Sequence, residues 1–339
     1  MNQIKVDLKF KIGGQLKPGF DNINMGKYSI FQLPSQKQGE FKSELLLKFK
    51  DEWEEGQEYS NPEKEGEIIL SWLSVVLRQK IKPDAVMMNH VGHQKIDGEK
   101  ISFNNIVEFP NNMLELYNKL KSLPYNLLEK YIRACEVYQE ALLLSNYNSN
   151  ISFFLFIVCI ECLSGKNQTF YDYLTSEMKK LNKKEISTNE IKDFSDKFNE
   201  EYGLKKNFIK FIVNYFKEWD NGFSSEEEFK DFLSSIYNLR SKFTHEGENL
   251  EKYTDIADRT GVKSVYTKEE GKKEKEIVGL NYLSKIVKEV LINFLNEQPL
   301  LEGDNIPKLA SSYGTANLIA VGNIIKGQEI TKDFFKHRK

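Results

Sequence analysis

Cysteine and histidine are both scarce in this 339-residue chain, at three and four residues respectively. Three thiols cannot build a disulfide framework in a chain of this length, and Cys135, Cys159 and Cys162 all fall in stretches that read as helix. Cys159-x-x-Cys162 has the spacing of half a zinc site. No second Cys or His pair of suitable spacing accompanies it and its surroundings are apolar, so buried thiols are the plainer reading. An excess of positive charge is also missing: 48 Lys and Arg stand against 50 Asp and Glu, a net charge of −2. Nucleic acid would then have to be held by a local basic cleft, since the whole chain does not attract it. The longest apolar run, Ile151 to Ile160, stops at Glu161 and is too short to span a bilayer, so no membrane partner is expected. Met1 leads into an alternating pattern instead of a basic stretch and an apolar signal core, which points to a cytoplasmic protein. A phosphate-cradling glycine loop and a Gly-x-Ser-x-Gly nucleophile motif are both lacking, which disfavours kinase, NTPase and serine-hydrolase chemistry.

What is present is the balance of a folded globular protein, 40% hydrophobic and 29% charged, long enough for two ordinary cores. Ile4, Val6, Leu8, Phe10 and Ile12 alternate before Gly13-Gly14, the period of a half-buried strand that ends in a turn. Tyr28 to Leu33, Phe41 to Phe49, Ala85 to Val91 and Lys100 to Phe103 are further extended candidates, and Ile69, Trp72, Leu73, Val76 and Leu77 mark a helical stripe among them. The expected fold class is α+β, with a mixed N-terminal domain over residues 1–118, a helical domain over 119–297 and an unassigned extension over 298–339.

Helical signals dominate after Pro124. Leu127, Leu128, Tyr131, Ile132, Cys135 and Tyr138 open a long amphipathic helix, and Asn146 to Asn150 breaks it before the apolar helix that carries Glu161. So short a break predicts an antiparallel hairpin. Phe208, Phe211, Ile212, Tyr215 and Trp219 form the next helical face. In Lys205-Lys206-Asn207-Phe208-Ile209-Lys210 the aromatics therefore read as core and the lysines as solvated. Ser225-Glu226-Glu227-Glu228 reads as a capping box for a helix through Phe229, Phe232, Leu233, Ile236, Leu239 and Phe243, with Gly247 as its stop. Residues 248–276 have the composition of a long loop or small insertion, and a last helix runs through Leu280, Leu283, Val287, Val290, Leu291 and Phe294.

The end of the capped helix carries Tyr237-Asn238-Leu239-Arg240-Ser241-Lys242-Phe243-Thr244-His245-Glu246-Gly247. A guanidinium can hold a phosphate by forked, charge-assisted hydrogen bonds, and an imidazole can move a proton near neutral pH. Cleaving a phosphodiester without a metal needs both, so Arg240 and His245 suggest RNA chemistry. The plainer alternative is a surface arginine and a histidine that favours the negative end of a helix dipole. Taken with the apolar helix and its Glu161-Cys162-Leu163 some seventy residues upstream, the segment resembles the HEPN superfamily, in particular bacterial HEPN domains of the ApeA-like type. Their pattern is an apolar helix, E-x-L, then L-R-S-K-x-x-H-x-G, and the resemblance spans roughly residues 123 to 297.

The resemblance implies an all-helical domain that often dimerises into a metal-independent endoribonuclease, with Arg240 and His245 as the motif pair and Glu161 as the helix acid. It also implies prokaryotic phage defence or a toxin role. Many active members carry Asn, Asp or His directly after the arginine, where Ser241 stands here. The same fold also serves as a catalytically inactive protein-interaction or nucleotide-binding adaptor, which is the alternative function.

Five positions along an ideal helix turn a side chain by about 140°, so Arg240 and His245 do not share a face. His245 aligns with Ser241 and Asn238, and Arg240 with Tyr237 and Thr244. Either the last turn unwinds or a second copy supplies the partner group, so a homodimer is expected. Asn238, Ser241 and Thr244 are the supporting candidates, and Glu161 must reach solvent or meet a cation such as Arg240. The expected products are 2′,3′-cyclic phosphate and 5′-hydroxyl ends, with RNA as partner and no cofactor. His90-x-x-His93, with Asp84 and Asp97 nearby, is a weaker metal candidate, since a surface or packing role explains it as well. Either it or some other feature of the N-terminal domain would take a regulatory ligand or protein.

Overall fold

The computed structural model describes residues 2–18, 20, 22–33, 43–53, 61–83, 106–165, 193, 203–218, 223–246, 264–266, 275–277 and 279–312. The chain is α+β: an antiparallel sheet with helices comes first and helices follow. Strands β1 (Asn2–Ile12), β3 (Asn22–Met25), β4 (Tyr28–Gln32), β5 (Ser43–Trp53) and β6 (Ile81–Pro83) form a five-stranded sheet in the order β3-β4-β5-β1-β6. β2 (Gln15–Leu16) pairs in parallel with β7 (Ile106–Val107) beside it. The long β1–β5 ladder runs from Asn2 opposite Trp53 to Ile12 opposite Ser43. Its alternation buries Leu8, Phe10 and Ile12 on one strand and Leu45, Leu47 and Phe49 on the other. Gly26, at φ 75°, is the first of two loop residues joining β3 to β4, the conformation a tight hairpin demands there.

Helix α1 (Pro62–Leu77) lies against the buried face of this sheet. Asn61 caps it, accepting from the Lys64 amide at 3.1 Å, with Pro62 in the first turn. Gly66 lets it lie close, because a Cβ there would sit 2.8 Å from Leu8 Cδ2. Ile68, Ile69, Leu70, Trp72, Leu73, Val75 and Val76 are all buried, the signature of a helix covered all round. The other side of α1 packs on α3 (Tyr125–Leu144), α7 (Leu280–Glu297) and α8 (Ile306–Ser312), so the sheet and the helices share one continuous apolar core. Arg78 ends α1 in the left-handed region, at φ 49° and ψ 50°. Its side chain donates to Ser284 Oγ at 2.9 and 3.1 Å and to the Asn281 carbonyl at 2.8 Å, joining the end of α1 to α7.

The boundary expected between residues 118 and 119 falls inside α2 (Met113–Ser122) and not in a linker. This helix packs on both β3 and α7, so the chain passes from sheet to helices without leaving the core. The expected hairpin forms between α3 and α4 (Ser149–Ser164), although the break is shorter than Asn146 to Asn150 because Asn148 caps α4, accepting from the Ile151 amide at 3.0 Å. Ser152 Oγ donates to the Ala141 carbonyl at 2.8 Å, and Cys159 Sγ to that of Ala134 at 3.1 Å. Each contact sits where an alanine lets the backbones approach.

Helix α5 (Leu204–Tyr215) ends before Trp219, which lies outside the described residues, and Phe216 takes an extended conformation as its cap. Helix α6 (Glu226–Glu246) opens on the expected Ser225 cap, whose Oγ accepts from the Glu228 amide at 3.1 Å, while the Glu228 carboxylate accepts from the Ser224 amide, one residue before the cap, at 2.7 Å. Within the 248–276 stretch, β8 (Ser264–Tyr266) and β9 (Lys275–Ile277) pair antiparallel. In the 298–339 extension, α8 buries Ile306, Leu309 and Ala310, and Asn305 fixes its start by bonding to the Lys121 and Leu123 carbonyls at 3.1 and 2.9 Å. The extended candidates at Ala85 to Val91 and Lys100 to Phe103 lie outside the described residues, as does Gly247. Among the described residues no helix is long and apolar enough to cross a membrane.

Candidate functional site

The site is built where α6 crosses α4. Tyr237 and Arg240 are one turn apart on α6, so they share the face that meets Glu161 on α4. Arg240 Nη2 donates to Glu161 Oε2 at 3.2 Å, and the Tyr237 hydroxyl donates to Oε1 at 2.9 Å, so each carboxylate oxygen holds one donor. The acid that interrupts the apolar helix thus meets a cation, with side chains 19% exposed for Arg240 and 16% for Glu161. That exposure leaves the pair partly open and is too little for water to screen it fully.

Aromatic rings complete the setting. The guanidinium carbon lies 5.4 Å from the Phe154 ring centre and 5.7 Å from that of Tyr237, within cation–π range of both. Phe154 precedes Glu161 by two helical turns and therefore shares its face of α4. Tyr237 packs on Phe208 of α5 at 5.3 Å, and Phe154 faces Phe243 at 6.1 Å. Burial, then the bond to Glu161, raises the Tyr237 hydroxyl well above the ordinary tyrosine value, so it stays a donor at neutral pH.

The other expected residues divide. Thr244 Oγ1 donates back to the Arg240 carbonyl at 2.8 Å, which uses its hydroxyl to close the last turn. Asn238 accepts from Lys205 Nζ of α5 at 3.1 Å, so it faces α5 and not the Glu161 pair, and Ser241 is half-buried. α6 stays helical through Glu246, so His245 is reached without unwinding and the five-position separation from Arg240 persists; its side chain lies outside the described residues. His90 and His93 lie outside them too. Among the described residues no group of three or more His, Cys, Asp and Glu could hold a metal ion. Cys135 and Cys159 are buried, and burial pushes both thiols well up.

Tyr237 and Phe154 were not among the expected site residues, since both sit on apolar stripes. Spacing puts Tyr237 three positions before Arg240 and Phe154 seven before Glu161, on the same helical faces, but does not say what either side chain meets. Lys205, a solvated charge by its sequence position, meets Asn238 only through tertiary packing. No family model matches the sequence, and no curated protein or solved structure matches it either.

Proposed function

We propose that this chain is a metal-independent endoribonuclease of HEPN type, acting in the cytoplasm as a homodimer and serving prokaryotic phage defence or a toxin role. The observation that carries the reading is the arginine of the R-x4-H segment, held on the acid of the apolar helix with its side chain still partly open. An arginine fixed in advance stabilises developing phosphate charge without reorganising during the reaction. In the reaction, His245 takes the proton of a ribose 2′-hydroxyl as that oxygen attacks phosphorus, or protonates the 5′-oxygen as the P–O5′ bond breaks. Arg240 balances the charge on the phosphorane-like transition state. The ends left are a 2′,3′-cyclic phosphate and a 5′-hydroxyl, and DNA is spared because it lacks the attacking group.

Regular helix through Glu246 supports a dimeric site, since five helical positions lie about 140° apart around one axis and a second copy across a twofold axis would supply the partner group. The α+β layer of the N-terminal part would take the regulatory ligand or protein. A second reading, an inactive adaptor whose Glu161–Arg240 pair only fastens α4 to α6, is favoured by Ser241 after the arginine.

Incubating RNA with wild type, Arg240→Ala and His245→Ala proteins in EDTA separates the two. The nuclease reading expects cleavage by wild type alone, a loss of about a hundredfold or more in each variant, and ends that ligate only after 3′-phosphatase treatment. Equal cleavage by wild type and His245→Ala at matched folding would overturn it.

A further inference from the structure

We propose that Tyr237 is a positioning residue for Arg240, acting through Glu161; this rests on the nuclease reading above. A carboxylate with one donor on each oxygen cannot turn about its last torsion without breaking a bond. Tyr237 on Oε1 therefore fixes the plane in which Oε2 meets Arg240 Nη2. The tyrosine is itself held: it is buried, its ring rests on Phe208, and it lies one helical turn before the arginine it orients. Its ring and Phe154 both lie within cation–π range of the guanidinium, limiting where that group can move.

Donor accounting then says how a phosphate is met. Of the five N–H groups of Arg240, Nε is enclosed with no acceptor, and one Nη2 hydrogen is committed to Glu161. A side-on fork through Nε is closed off. The terminal nitrogens remain, so the arginine addresses a phosphodiester end-on, and the direction of that approach is set by the Tyr237 hydroxyl.

Tyr237→Phe tests this, because it removes one oxygen and keeps the ring on Phe208 and beside the guanidinium. Steady-state cleavage of a short RNA by wild type, Tyr237→Phe, Glu161→Gln and the double variant is compared, with thermal midpoints measured in parallel. The expected result is a fall in kcat of about tenfold for Tyr237→Phe at nearly unchanged KM, the size of one lost hydrogen bond to a charged group. In the Glu161→Gln background the same substitution should cost less than twofold, since its intermediary is already disarmed. Full activity in Tyr237→Phe, or equal losses in both backgrounds, overturns the proposal and leaves the nuclease reading standing. A wild-type protein that cleaves no RNA removes both, and is distinguished because His245→Ala then changes nothing either.

Discussion

Two places in this molecule hold a glutamate between a tyrosine hydroxyl and a cation that rests near aromatic rings. In the sheet layer the acid is Glu65 of α1, which accepts from the Tyr28 hydroxyl and pairs with Lys27 Nζ at 2.6 Å, the lysine lying 5.8 and 5.5 Å from the Tyr28 and Phe49 rings. At the α4–α6 crossing it is Glu161, with Tyr237 and Arg240. The parts match and the settings do not. Lys27 and Tyr28 are neighbours in a hairpin and both reach Oε1, whereas Tyr237 and Arg240 are a helical turn apart and take one oxygen each. The Glu65 side chain has no exposure at all although Lys27 keeps 23%, while Arg240 and Glu161 keep 19% and 16%. The comparison separates a pair whose acid is fully enclosed from one whose acid stays partly open. Burial, more than residue type, decides which it is.

Removing the acid should break the comparison most sharply in the sheet. Glu65→Ala leaves a buried tyrosine hydroxyl and a lysine without their carboxylate, and a loss of about 3 to 5 kcal/mol is expected. Denaturant unfolding followed by far-ultraviolet circular dichroism measures it, and a loss below that of Glu161→Ala would reverse the assignment. Glu161→Ala should cost about 1 to 2 kcal/mol in the same measurement, since water can replace part of what is lost, and should cost RNA cleavage far more than Glu65→Ala does at matched folded fraction.

Exchanging the cation sharpens the contrast further. Arg240→Lys keeps the charge but loses the planar group between Phe154 and Tyr237, so about 1 kcal/mol of stability and most of the cleavage should go. Unfolding midpoints near wild type together with wild-type cleavage would show that a point charge suffices there.

The smallest effect belongs to Cys162, beside Glu161 on α4. Burial pushes its thiol from 9.0 up to about 11, with Arg133 opposing and Glu161 adding. A thiol harder to ionise when folded contributes stability that is complete below pH 9 and lost as pH rises toward 11. The stability difference between wild type and Cys162→Ser should therefore shrink across that window, and alkylation at pH 8 should be slower than for an unfolded control. A difference that is flat with pH would mean the thiol is not sheltered.

Much of this was legible in local pattern. The alternation of Ile4 to Ile12 gave β1, the capping box at Ser225 gave the start of α6, and Asn146 to Asn150 marked the α3–α4 turn, because each is written within a few residues. Short elements were not legible: β2, β3, β6 and β7 are two to four residues long and depend on partners elsewhere in the chain. α2 and α8 were also passed over, although α2 has a clear apolar stripe at Met113, Leu116, Tyr117 and Leu120. At the site, the Arg240 and Glu161 side chains could be paired on charge and cost of burial. That Tyr237 takes the second oxygen depends on how α6 is rotated against α4, which no local spacing encodes.

Arg78 turns much of the chain into a closed circuit. It grips Asn281 across 203 positions of sequence, so α2 to α6, with the whole α4–α6 crossing, leave and return to one joint at the end of α1. A protease that nicks the chain once anywhere along that circuit leaves two pieces still fastened at the joint and through the shared core. Such a nick would show on a denaturing gel long before it showed in the size of the native particle. The joint is also hard to replace: glycine would suit the left-handed backbone but delete the grip, and lysine would keep the charge but not the fork.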